Sequence, residues 1–167
     1  MEHEDPWRAL QNTNEWLRHA DTKASLILTL NGALIGLITL RFQTPDLFDR
    51  QPLVTALLLV ATGLLAGSLT CNIIAVAPRS TVTGQERSLL HFHHVATGFE
   101  ARESAFVEEF AELVTDHERL RRQVAGQVWA NSLVARRKYR HLDWGIRFTA
   151  GAILVIVLAG ALGAFTG

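Results

Sequence analysis

Apolar residues in this chain gather in blocks. Ala24–Leu40, Leu53–Ala77 and Phe148–Gly167, of 17, 25 and 20 residues, hold no charged side chain. A helix rises about 1.5 Å per residue, so the blocks reach roughly 26, 37 and 30 Å against a hydrocarbon layer about 30 Å thick. The first block is slightly short, but Lys23 and Arg41 at its ends can snorkel to the interfaces. A soluble core helix keeps a polar face at every turn, and "LVTALLLVATGLLAGSLTCNIIAVA" has none. The pattern predicts an all-α integral membrane protein with three transmembrane helices, over residues 24–41, 53–77 and 146–166.

The polar segments show helical spacing of their own. Trp7, Leu10 and Leu17 recur at steps of three and seven with Trp16 beside them, which predicts an interfacial helix within residues 1–22. "RFQTPDLFDRQP" carries two prolines and reads as a connector. Pro78 closes the second span, "RSTVTGQERS" reads as a polar loop, and the rest of 78–145 as a helical region. Thr97-x-x-Glu100 and Thr115-x-x-Glu118 match the capping box and predict two helix starts. The first helix carries Phe99, Phe106, Phe110 and Leu113 on one stripe, with an acidic opposite face from Glu100 to Asp116. The second is basic, from Arg119 to Arg140, which favours an antiparallel hairpin. Exposed ion pairs contribute only about 0–1 kcal/mol each, so the Phe stripe must supply most of the packing. No proline interrupts Thr115–Gly167, so the basic helix is expected to continue into the third span as a rod of roughly 75 Å, with Gly126 and Gly145 as bend points.

Charge sets the orientation. The 16 basic and 16 acidic residues cancel, so the balance points to no nucleic-acid partner. Arg8, Arg18 and Lys23 precede the first span, ten basic residues lie between Arg79 and Arg140, and only Arg41 and Arg50 fall in the first loop. Basic residues stay inside, which places the N-terminus and 78–145 in the cytoplasm of a bacterial inner membrane protein. No cleavable signal peptide is expected, because some twenty polar residues precede the first apolar run. Cys71 is the single cysteine, so no intrachain disulfide forms.

Three clusters are candidates for chemistry. Asp21 and Lys23 sit at the mouth of the first span and Asn31 lies inside it. Asn31 is costly in lipid unless it faces another helix, and Ser25, Gly32 and Gly36 offer room for one. These residues read either as packing with an interfacial ion pair or as the border of a site at the inner surface. In "QVWANSLVARRKYR", Gln127, Asn131 and Ser132 precede Arg136, Arg137, Lys138 and Arg140. Amides and a hydroxyl can read a base edge while guanidinium groups hold phosphate; the same cations can instead bind anionic lipid headgroups. His91, His93 and His94 suggest a metal, but no nearby cysteine or acidic residue completes a tetrahedral set, so a polar hinge is favoured. No G-x-S-x-G, Walker loop or H-E-x-x-H occurs. The reading is of a non-enzyme with no cofactor and no metal.

The segments "W..HADTKASLILTLNGALIG", "SLLHFHHV" and "QVWANSLVARRKYRHLDWGIRF" resemble the membrane effectors of Pycsar anti-phage systems, the PycTM type, over nearly the whole chain. The chain departs from that pattern at Phe92-His93-His94, where the family carries a Gly-His pair. The resemblance implies a membrane effector activated by cyclic UMP or cyclic CMP from a partner cyclase, which impairs the inner membrane and kills the infected cell. Matching positions are Asp21, Lys23, Ala24, Ser25, Asn31, Gln127, Asn131, Ser132, Lys138 and Tyr139. The expected ligand-binding set is Asp21, Lys23, Gln127, Asn131, Ser132, Arg136, Arg137 and Lys138. Ligand at 100 times its dissociation constant contributes about 2.7 kcal/mol per site, whereas inverting a 1:99 switch takes about 5.5 kcal/mol. At least two coupled sites are needed, which predicts a homo-oligomer. The alternative is a non-gated membrane scaffold whose cytoplasmic hairpin binds a protein partner.

Overall fold

A computed structural model describes residues 5–45, 47–77 and 88–166. The order is α1 (Asp5–Phe42), α2 (Leu47–Arg50), α3 (Pro52–Val76), α4 (Phe92–Gly98), α5 (Glu103–Thr115) and α6 (His117–Thr166). No strand occurs among the described residues, so the all-α class holds. The predicted loop over 79–88 lies almost wholly outside the described residues, as do Pro78 and the first four residues.

Two compact units partition the chain. Met1–His19 and Pro78–Arg137 form a charged unit; Ala20–Ala77 and Lys138–Gly167 form an apolar one.

The apolar unit contains three helical segments with apolar windows long enough to cross a membrane, drawn from α1, α3 and α6. α1 is continuous from Asp5 to Phe42, so the N-terminal helical stretch and the first apolar run lie on one helix. No proline follows Pro6 until Pro45, and Ala20 and Ala24 favour helix where polar sequence gives way to apolar. α3 opens with Pro52 in its first turn, where the missing N–H is not needed. Hydroxyls along these helices satisfy themselves: Thr29 donates to the Ser25 carbonyl at 3.1 Å, Thr39 to Ile35 at 2.8 Å and Thr62 to Leu58 at 2.8 Å. Such bonding removes donors that lipid cannot serve. The connector contributes more than a link, because Leu47 of α2 is buried with Ile38, Val54, Leu58, Leu65 and Ala159. Outside that core, Leu37, Leu59, Leu154 and Val157 each expose more than half of their surface. Large apolar side chains exposed on three such helices mark a lipid-facing surface.

In the charged unit, Leu89, Phe99 and Leu113 form a small core against Phe106, Phe110 and Leu120. Phe106, Phe110 and Leu113 share α5 as the stripe predicts, but Phe99 is the C-cap of α4 and joins the core across the turn between α4 and α5, not along one helix face. Phe99 and Phe106 meet edge-on at 5.4 Å between ring centres, and Phe106 stacks on Phe110 at 5.5 Å. Across the hairpin, Arg119 and Glu109 approach only to 3.9 Å, consistent with packing dominated by the rings. Both capping assignments need correction. Thr97 lies inside α4 and donates to the His93 carbonyl at 2.7 Å. Thr115 ends α5, and Asp116 caps α6 by accepting from the Arg119 N–H at 2.9 Å. The carboxylate is the stronger acceptor and sits one residue nearer the helix.

Candidate functional site

Gln123, Gln127 and Asn131 recur every four residues along α6 and so share one face. The Gln123 side-chain oxygen accepts from the Leu89 N–H at 3.0 Å and the Ser88 hydroxyl at 3.3 Å. Gln127 donates to the Asn131 side-chain oxygen at 3.0 Å, and the Asn131 NH2 donates to the Asn14 side-chain oxygen at 2.8 Å. Gln127 keeps only 7% of its surface exposed. This amide ladder joins α6 to α1 and to the Ser88–Leu89 segment within the charged unit. Asn14 has no pattern of its own in the sequence; its role comes from a contact 117 residues away.

The remaining members of the motif differ. Ser132 donates to the Val128 carbonyl at 2.7 Å and is exposed. Arg136 and Arg137 are exposed and form no ion pair among the described residues. They are the cations of this motif left facing solvent in the charged unit.

Asp21, Lys23 and Lys138 belong to the apolar unit. Asp21 pairs with Lys138, not with Lys23. Residues two apart on a helix do not face each other, which explains why the sequence-adjacent pair does not form. Lys23 instead lies 5.9 Å from the centre of the Tyr139 ring, a cation–π contact. The eight expected ligand residues therefore divide, with Gln127, Asn131, Ser132, Arg136 and Arg137 in one unit and three in the other.

Deeper in the apolar unit lies a polar knot. Asn31 donates to the Ser68 hydroxyl at 2.7 Å and accepts from Thr149 at 2.9 Å. Ser68 also contacts Thr149 at 2.8 Å and donates to the Gly145 carbonyl at 2.9 Å. Asn72 donates to the Ser68 carbonyl at 2.8 Å, leaving its own Oδ1 buried without a partner among the described residues. Asn31 does face other helices, as its cost in lipid predicts. Gly32 and Gly36 are not the residues that let a neighbour approach, since neither has anything within 4 Å of a built Cβ. The close approach is at Gly145. Ser68, Asn72 and Thr149 were missed by the sequence reading, although polar residues spaced four apart within an apolar run are a usable signal.

The histidines form a cluster rather than a chelate. His91 and His94 rings lie 4.9 Å apart, and His94 Nδ1 accepts from the Ser88 N–H at 3.1 Å. His91 Nδ1 is buried without a partner among the described residues. Burial first, then the neighbouring His94 and His93 rings, hold its pKa below the ordinary imidazole value. Among the described residues no His, Cys, Asp and Glu group is arranged to hold a metal.

Comparison with known proteins places this architecture. A family model described as the Pycsar effector protein domain matches residues 6–165. The Pycsar effector protein PtPycTM of Propioniciclava tarda is 28% identical over 165 residues, covering 95% of this chain and 79% of that protein. MePycTM of Micromonospora echinofusca, also a Pycsar effector protein, is 44% identical over 48 residues, which is 29% of this chain and 81% of that protein. No solved structure matches.

Proposed function

The chain belongs to the Pycsar effector family, and from that premise we propose that it is a nucleotide-gated membrane effector. Membership supports a role in anti-phage defence, and the three apolar helices support a place in the membrane. In this reading a partner cyclase releases a cyclic pyrimidine mononucleotide, cyclic UMP or cyclic CMP, on infection. The nucleotide binds the charged unit, which lies on the cytoplasmic side together with the N-terminus. Copies of the chain then oligomerise or rearrange their spans, the inner membrane is impaired, and the infected cell dies before phage is released. The protein carries out no reaction and needs no cofactor; the messenger is its ligand.

One observation carries this reading: the family match runs through both units, so the charged helices and the spans belong to a single effector domain. Basic residues concentrated between Arg79 and Arg140 favour the cytoplasmic side for that region.

Membrane potential in cells expressing the protein tests the proposal. Depolarisation is expected when cyclic UMP or cyclic CMP is supplied, and not without it. Equal leakage in both conditions overturns nucleotide gating and leaves a non-gated scaffold as the better reading.

A further inference from the structure

Within the charged unit, the first turn of α1, the end of α5 and the opening turns of α6 line an open cavity of about 290 Å³. Val124, 1% exposed, forms part of its lining with Leu120, and Trp7 and Val114 line it while each remains 45% exposed. His117 and Arg121 supply the polar part of the lining. No described residue forms an ion pair with the Arg121 guanidinium. The amide ladder of Gln123, Gln127 and Asn131, in contrast, is taken up by contacts inside the protein.

Each part of this lining restricts the occupant. A half-exposed indole beside an apolar wall favours a flat ring that can stack. A guanidinium at the same cavity favours a phosphate, which it can grip through two N–H groups. Ligand cavities commonly run from about 300 to 1,000 Å³, so this one is at the small end. A single-ring base fits that size better than a purine. A lipid headgroup would satisfy the guanidinium but has no flat ring for the indole.

We infer that the Trp7–Arg121 cavity is where a pyrimidine mononucleotide binds, its base against Trp7 and its phosphate on Arg121. The inference rests on the nucleotide-gated reading above and gives that reading a location distinct from the amide motif. It assigns Trp7 and Arg121, two residues outside the expected ligand set, as the principal contacts.

Calorimetric titration of the purified full-length protein in detergent separates the two ideas. Probes are cyclic UMP, cyclic CMP, cyclic AMP and inorganic phosphate, against the unaltered protein and Trp7→Ala, Trp7→Phe, Arg121→Gln and Arg137→Ala. A cyclic pyrimidine is expected to bind the unaltered protein more tightly than cyclic AMP or phosphate. Trp7→Ala and Arg121→Gln should each weaken it by about tenfold or more. Trp7→Phe keeps a stacking ring and should retain most of the affinity, which shows that the unit still folds. Binding lost in Arg137→Ala but kept in Trp7→Ala and Arg121→Gln overturns the location in favour of the amide motif. Cyclic pyrimidine binding that survives both Trp7→Ala and Arg121→Gln overturns the location and leaves the gating reading standing. No binding of either cyclic pyrimidine to the unaltered protein overturns both. Inorganic phosphate binding as tightly as the nucleotide overturns recognition of the base.

Discussion

Gly145 of α6 lies against Asn72 of α3 so closely that a Cβ added to it would sit 2.3 Å from the Asn72 amide nitrogen. The same glycine offers its carbonyl to Ser68 at 2.9 Å and Thr149 at 3.1 Å. The helices meet backbone to side chain at this point, so the contact depends on the absence of a methyl group.

Gly145→Ala is therefore expected to destabilise the apolar unit by about 1–3 kcal/mol, the usual cost of overpacking. Gly32→Ala and Gly36→Ala should act in the opposite direction. Their added methyl groups meet nothing within 4 Å, and alanine is the better helix former by about 0.5–1 kcal/mol. Thermal unfolding of the three variants in one detergent checks the contrast. Equal effects at all three positions would refute the close approach at Gly145.

Asn31→Leu should cost about 0.6–2 kcal/mol, the range for interhelical hydrogen bonds in membranes. It removes a donor to Ser68 and an acceptor for Thr149. Ser68 retains the Gly145 carbonyl, so part of the knot survives the substitution. Unfolding in detergent measures the loss, and Thr149→Val should give less than an additive effect when combined with it.

A double-mutant cycle addresses the amide ladder. Asn131→Ala and Asn14→Ala are each expected to lower the stability of the charged unit by about 1 kcal/mol. Combined, they should cost less than the sum by about 0.5–1 kcal/mol, because both remove the same 2.8 Å bond. Strict additivity would show that the bond contributes nothing. A structural role for Asn131 also means that loss of nucleotide response in Asn131→Ala must be judged alongside its unfolding temperature.

His91 predicts a pH dependence with a defined sign. Its folded-state pKa lies below the ordinary value of 6.5 because burial and the His94 and His93 rings oppose a charge there. The unfolded chain then binds the proton more readily, so stability rises with pH across this window. The stabilising contribution is complete above about pH 6.5 and falls as the pH drops from there towards the lowered value. Unfolding of the full-length protein between pH 5 and 7.5 should show this slope, and His91→Gln should flatten it.

Much of the architecture was legible in the residues themselves. Block length against bilayer thickness identified the three spans, and the cost of an unpaired amide in lipid placed Asn31 against another helix. The Phe106, Phe110 and Leu113 spacing identified the face that α5 gives to the small core of the charged unit. These inferences use distances along one chain segment, where helix geometry converts sequence spacing directly into a face or a length. The polar stretch before residue 22 and the apolar run after it form one helix for a related reason. A change from polar to apolar composition does not interrupt backbone hydrogen bonding, and nothing in α1 between Pro6 and Phe42 removes a donor.

The sequence alone thus determined how many helices are long and apolar enough to cross a bilayer and which residues cannot tolerate lipid without a partner, because length, charge and local period are properties of consecutive residues. Only the tertiary structure decided who those partners are. Asp21 takes Lys138 over Lys23, Asn131 takes Asn14, Gly145 receives Asn72, and Trp7 shares a cavity with Arg121. Each pairing depends on the relative register of helical segments far apart in the chain, set by the fit of many side chains at once, and no single stretch of sequence encodes that register.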